Sequence, residues 1–83
     1  MIYTIDMKKR QAQEISDAIV AVLRQKRLER GITQYKMAQD TGMSKSSILY
    51  IESFKQRPSL YTILMLADYL GVDLSQVIRR VHS

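Results

Sequence analysis

The chain contains no cysteine, and its only histidine among 83 residues is His82. Without cysteine, the protein cannot contain a disulfide framework or a thiolate metal site. No run of about 18 apolar residues is present, and the N-terminus lacks the pattern of a signal peptide. The sequence therefore predicts a protein that does not associate with a membrane and resides in the cytoplasm.

The residues that enzymes use are also scarce. There is no glycine-rich phosphate loop, and no pair of carboxylates is accompanied by a metal-ligating partner. The single histidine, His82, lies beside the C-terminus, which gives little support to acid or base catalysis. We therefore expect no catalytic residue, no metal and no cofactor.

Positive charge is concentrated in one part of the chain. The formal net charge is +5, and residues 24–57 hold eight basic and three acidic residues, which accounts for all of it. Basic charge gathered on one part of a small domain is typical of proteins that bind polyanions. Taken alone, the same charge is equally consistent with an ordinary solvated surface.

The apolar residues recur at helical spacing, which predicts an all-α chain. The expected segments are residues 6–30, 34–41, 45–53, 59–70 and a last helix from 73 onward. Three glycines and one proline lie at the boundaries between them. The possible exception is a strand at residues 2–5.

Two of these helices have specific expectations. The first is long and amphipathic, and we expect Leu28 to belong to its apolar face. The last begins at Asp73, which could form a capping box with Gln76. We expect that helix to bury Ile78 and Val81 together with two other apolar residues, Leu74 and Val77.

Residues 33–53 form the most informative stretch, because two short helical segments flank a glycine. Ala38 suits the close crossing of two helices, and Gly42 suits a tight turn. In the second helix Ile48 and Ile51 fall on one side, whereas an arc of about 140° on the other side offers a cation, a hydroxyl, an aliphatic group and a phenol. Such groups can read base edges in the major groove.

In this ordered combination the sequence resembles the Cro and phage-repressor type of helix-turn-helix regulators. The matching residues span about two thirds of the chain and are Leu23, Arg27, Gly31, Thr33, Gln34, Met37, Ala38, Gly42, Ser44, Ile48, Ile51, Glu52, Pro58, Ser59, Ile63, Leu66, Ala67, Leu70, Gly71 and Val72, continuing to about residue 78. The resemblance implies a five-helix, lambda-repressor-like domain at residues 21–83. Residues 1–20 would be an extension continuous with the first helix.

The resemblance also implies roles for individual residues. The residues placed at base edges are Lys45, Ser46, Leu49 and Tyr50. The residues placed at phosphates are Gln34, Ser44, Ser47, Ser53, Lys55 and Arg57. Arg27 and Glu52 match a structural ion pair of this family.

Two positions depart from the family pattern. Phe54 replaces a usual glycine, which leaves the course of the following loop open, and Thr41 replaces an apolar residue, which suggests looser packing of the turn.

Some features go beyond the helix-turn-helix. Apolar side chains that the domain does not need are Ile15, Ile19, Tyr61, Leu64 and Met65. They either cover each other within one chain or form an interface with a second molecule. The cations Lys8, Lys9 and Arg10 oppose the dipole of the first helix. They belong either to a frayed, solvated helix start or to an arm that contacts DNA.

The resulting functional prediction is a transcriptional regulator, expected to act as a repressor. It would bind a double-stranded DNA operator as a homodimer and associate with the nucleoid. The alternative is an antitoxin-like protein that neutralises a partner protein and regulates its own synthesis through the same DNA-binding domain.

Overall fold

A computed structural model describes the backbone of residues 2–82 and the side chains of residues 9–81. Within this range the chain is all-α, as the sequence predicts. Its five helices are α1 (Ile2–Glu29), α2 (Gln34–Thr41), α3 (Lys45–Glu52), α4 (Leu60–Leu70) and α5 (Leu74–His82). The prediction of a strand at residues 2–5 is wrong, because these residues form the start of α1. A strand there would have no partner strand.

Four of the helices begin with a side chain that accepts a hydrogen bond from the first turn. The hydroxyl of Thr33 accepts from the backbone of Lys36 at 2.9 Å, and Ser44 and Ser59 cap α3 and α4 in the same way. At α5 the carboxylate of Asp73 accepts from the backbone and hydroxyl of Ser75, at 3.0 and 2.6 Å. The hydroxyl bond is the main reason why the pKa of Asp73 lies below its ordinary value.

One hydrophobic core unites the five helices. Its buried members are Ile19, Leu23, Met37, Ala38, Ile48, Ile63, Leu66, Ala67, Leu70 and Val77. Ile19 therefore packs within its own chain and is not exposed to a partner. Ile15 is half-buried against the same core. Because Ile19 and Val20 are both buried, the predicted 1–20 extension supplies part of the core of the domain that follows it.

Three apolar residues that the periodicity assigned to buried faces are exposed. Leu28 lies five residues after the core residue Leu23, which places it about 140° away around α1. Ile78 and Val81 are exposed because α5 packs mainly against α1 and buries only the stripe around Val77. The prediction that α5 buries all its apolar residues is therefore wrong.

Helix α1 projects beyond the other four. Its 28 residues correspond to about 42 Å at 1.5 Å per residue, close to the 44 Å longest dimension of the molecule. The side chains of residues 9–14, which include Lys9 and Arg10, are exposed, whereas that of Lys8 lies outside the described residues. In the part of the chain that the structure describes, α1 and the other helices are too short or too polar to span a bilayer.

Candidate nucleic-acid interface

Helices α2 and α3 pack together through a tight turn. Met37 and Ala38 are buried where the helices meet, and Gly42 adopts a left-handed φ of 77° while its N–H donates to the carbonyl of Ala38 at 2.9 Å. The hydroxyl of Thr41 donates to the carbonyl of Met37 at 2.7 Å. Thr41, which departs from the family pattern, thus satisfies its polar group within the turn.

Helix α3 divides into a buried face and an exposed face. Ile48 and Ile51 are buried in the core and fix the rotation of the helix about its axis. The four residues predicted at base edges, Lys45, Ser46, Leu49 and Tyr50, are all exposed. The structure therefore brings them together on one solvent-facing surface, called the α3 face below.

The serines around α3 are held by local hydrogen bonds. Ser44 accepts from the backbone N–H of Ser47 at 3.0 Å, and its hydroxyl donates to that of Ser47 at 2.9 Å. At the other end of α3, the hydroxyl of Ser53 donates to the carbonyl of Leu49 at 2.8 Å. These bonds orient three hydroxyls predicted at phosphates at the two ends of the α3 face.

The loop after α3 begins with an aromatic residue in a backbone conformation that favours glycine. Phe54 has a φ of 62° and is the only non-glycine residue with a positive φ in the described chain. The N–H of Phe54 donates to the carbonyl of Ile51, and that of Lys55 to the carbonyl of Tyr50, at 3.1 and 2.9 Å. These bonds form a Schellman motif. The chain thus turns after α3 as it would with glycine, and Lys55 and Arg57 are exposed beyond the turn.

A buried ion pair joins α1 to the end of α3. The guanidinium of Arg27 donates from Nε to Oε2 of Glu52 at 2.7 Å and from Nη2 to Oε1 at 2.8 Å. Its Nη1 donates to the carbonyl of Ile32, also at 2.7 Å. Arg27 and Glu52 therefore have a structural geometry, and neither charge is directed towards solvent.

Gln34 lies in this network, which the sequence alone did not indicate. Its amide Nε2 donates to Oε1 of Glu52 at 3.0 Å, and the side chain is half-buried. An amide nitrogen carries two hydrogens, so this bond leaves one donor for another acceptor. The predicted phosphate contact of Gln34 stays a prediction.

A second polar contact joins α2 to α4. The hydroxyl of Tyr69 donates to Oδ2 of Asp40 at 2.5 Å, while Nζ of Lys36 lies 3.2 Å from Oδ1. The bond from Tyr69, followed by the contact with Lys36, lowers the pKa of Asp40, and the same bond to Asp40 raises the pKa of Tyr69. Sequence reasoning missed this contact, since its partners are 29 residues apart and neither has a local motif.

Every acidic residue of the basic segment 24–57 has a cationic neighbour. Glu29 lies 3.6 Å from Lys26, and Asp40 and Glu52 contact Lys36 and Arg27 as described. The remaining cations of the segment are Arg24, Arg30, Lys45, Lys55 and Arg57. Lys45 belongs to the α3 face, and Lys55 and Arg57 lie in the loop that follows α3, so three of these five cations are on or next to α3 in the chain.

The residues predicted at an interface are not all exposed. Tyr61 is 74% exposed and Leu64 is 52% exposed, whereas Met65 is half-buried. Leu60, which sequence reasoning missed, is also exposed and begins the same helix. Leu60, Tyr61 and Leu64 fall within about 100° of one another and are called the α4 apolar face.

The fold and the α3 face together define a helix-turn-helix domain. A family model described as helix-turn-helix matches residues 23–77, which is more than half of the chain. The chain therefore belongs to the XRE type of this family, which confirms the resemblance to Cro and repressor-type regulators. In this general sense it is a DNA-binding transcription regulator. No curated protein and no solved structure matches the chain significantly.

Proposed function

We propose that the protein represses transcription by binding a specific double-stranded DNA operator with α3 in the major groove. The observation that carries this proposal is the position of three cations that have no ion pair with another described residue. Lys45 lies at the start of the exposed α3 face, and Lys55 and Arg57 lie beyond its end. Major-groove recognition combines groups that read base edges, among them Lys45, with cations such as Lys55 and Arg57 that bind the adjoining phosphate backbone.

The roles of the exposed groups follow from their chemistry. Lys45 can donate to the acceptors of guanine, Ser46 can donate or accept, and Leu49 can contact the methyl group of thymine. Tyr50 adds a phenol that can bind a base edge or stack against the sugar. These four residues would give the protein its sequence preference.

The flanking groups would position the domain on the backbone without reading sequence. Lys55 and Arg57 supply charge, and the hydroxyls of Ser44, Ser47 and Ser53 supply polar contacts. Gln34 would use the remaining N–H of its amide. Because phosphate contacts dominate affinity, their number sets the salt dependence of binding.

A homodimer is the expected functional unit, since one helix-turn-helix reads only a few base pairs. Two copies of α3 would contact half-sites about 34–36 Å apart on a pseudo-palindromic operator. The α4 apolar face, which includes Tyr61 and Leu64, is a candidate for the contact between the copies. A repressor of this kind would act in the cytoplasm at the nucleoid.

The same apolar face supports a second candidate, an antitoxin-like function. In that case Tyr61 and its neighbours would bind and neutralise a partner protein, and DNA binding would regulate synthesis of both. Copurification of a second small polypeptide on this face would favour the antitoxin. A homodimer without any such partner would favour the repressor.

Selection of bound sites from a random DNA pool tests the proposal directly. We expect enrichment of a pseudo-palindrome. If a dimer makes about 6–10 phosphate contacts, affinity for that site should fall by roughly 10³ to 10⁵ between 50 and 200 mM salt. Failure to enrich any sequence, together with salt-independent binding, would contradict the proposal.

A further inference from the structure

An open groove of about 470 Å³ lies beside the α3 face, between α1 and the ends of α2 and α3. Leu49 and Phe54 line one part of it, Gln34 lines another, and Arg24 lines the α1 side. Leu49 also belongs to the exposed α3 face, so the two surfaces are continuous. A duplex seated on the α3 face would therefore cover the mouth of this groove.

The carboxylate of Glu52 lies near two guanidinium groups, but it accepts hydrogen bonds from only one of them, that of Arg27. Arg27 donates one hydrogen bond to each carboxylate oxygen, and Gln34 adds a second donor to Oε1, which makes three for the carboxylate. Nε of Arg24 lies 3.9 Å from Oε1, which is beyond hydrogen-bonding distance. The charge of Glu52 is thus already compensated, and the cluster of two arginines and one glutamate keeps a positive charge at Arg24.

The two arginines also differ in their access to solvent. The side chain of Arg27 is 8% exposed, whereas that of Arg24 is 52% exposed. The short hydrogen bonds of Arg27 occupy all three of its nitrogens. The N–H donors of the Arg24 guanidinium are therefore available to a ligand. The planar arrangement of these donors suits bidentate recognition of a phosphate.

We propose that Arg24 binds a backbone phosphate of the operator at the mouth of this groove. The proposal rests on the DNA-binding function above and adds to it a contact made by α1, outside the helix-turn-helix. Arg24 contributes affinity and no base discrimination, since a phosphate contact is blind to sequence. The buried carboxylate of Glu52 holds the guanidinium near the groove by attraction across 3.9 Å.

The test compares Arg24→Gln with the wild-type protein on selected operator and on scrambled DNA at several salt concentrations. Losing one phosphate contact per protomer should weaken binding to both DNAs by similar factors. It should also reduce the salt slope by about one per protomer. Arg79→Gln is the matched control, because Arg79 is an exposed arginine on α5 that does not line the groove. Its salt slope should stay close to that of the wild type.

A second variant uses the absence of cysteine in the chain. Arg24→Cys introduces a single thiol, which should exchange with an activated mixed disulfide tethered to one backbone phosphate beside the half-site, forming a protein–DNA disulfide and releasing the activating thiol. Arg79→Cys should not form it. Thermal melts of all variants establish that they are folded.

The outcomes separate this inference from the proposed function. Wild-type protein that binds no DNA, or binds without salt dependence, overturns the proposed function. Wild-type protein that binds as expected, while Arg24→Gln keeps its affinity and slope and Arg24→Cys does not cross-link, overturns only the role of Arg24.

Discussion

Arg27 and Glu52 lie 25 residues apart in the chain and meet through two charge-assisted hydrogen bonds of 2.7 and 2.8 Å. Both side chains are more than nine-tenths buried. The pair joins the C-terminal part of α1 to the last turn of α3. It therefore helps to fix the position of the exposed α3 face relative to the core.

Removing one partner of this pair should strongly destabilise the fold. Glu52→Gln leaves the guanidinium of Arg27 buried without a counter-charge, and breaking a buried pair typically costs about 3–5 kcal/mol. We expect thermal and urea unfolding to show a loss of that size.

Glu29→Gln is the matched control for this change. Glu29 is an exposed glutamate 3.6 Å from Lys26, and a surface pair of this kind is worth only about 0–1 kcal/mol. Similar unfolding free energies for Glu52→Gln and the wild type would show that the buried pair does not form in solution.

Loss of a base contact and loss of a phosphate contact should change DNA affinity in different ways. Lys45→Ala removes a proposed base contact, so it should cost about 1–3 kcal/mol on the preferred operator and little on scrambled DNA. Arg57→Ala should weaken both DNAs alike and reduce the salt slope by about one per site lost. Both variants are measured on both DNAs at two salt concentrations. Equal weakening of both DNAs by Lys45→Ala would place Lys45 at the backbone and rotate the proposed recognition surface.

Assembly should depend on the α4 apolar face. If this face forms the dimer contact, Tyr61→Ser should remove a large buried anchor and cost about 2 kcal/mol or more, a roughly 30-fold weaker dimer. Sedimentation over a range of protein concentrations measures the dissociation constant of the dimer. Tyr35→Ser is the control, because Tyr35 is a similarly exposed tyrosine on α2. A wild-type monomer well above the concentration that saturates operator DNA would contradict a preformed dimer.

The backbone at Phe54 gives a stability prediction in which glycine and alanine are compared. A side chain at a left-handed position costs about 1–2 kcal/mol, whereas glycine costs about 0.4–1 kcal/mol in chain entropy. Both replacements remove the ring, which is 53% exposed. The difference between their unfolding free energies therefore reports the cost of the left-handed backbone conformation. Phe54→Gly should be more stable than Phe54→Ala by about 0.5–1 kcal/mol in urea unfolding.

The neighbouring position provides the control for this comparison. Ser53 has a φ of −94°, so Ser53→Ala should be the more stable of the pair Ser53→Ala and Ser53→Gly. If alanine is favoured at both positions, residue 54 is not left-handed in solution.

The sequence predicted those features that depend on neighbouring residues. The starts of α2 and α3 at residues 34 and 45 agree with the predicted segments, and the two faces of α3 follow from its periodicity. The exposure of Ile78 could not be predicted, because it depends on how many other helices pack against α5. The same limit applies to the bond between Asp40 and Tyr69, whose partners meet only in the folded chain.

The burial of Arg27 and Glu52 has a consequence for genetics. A screen for variants that no longer occupy their operator would recover substitutions at these two charged positions as readily as substitutions on the surface of α3. Their charge would suggest direct contact with DNA, although the pair faces the interior. Second-site changes that raise overall stability should restore such variants, whereas they should not restore a variant that has lost Lys45.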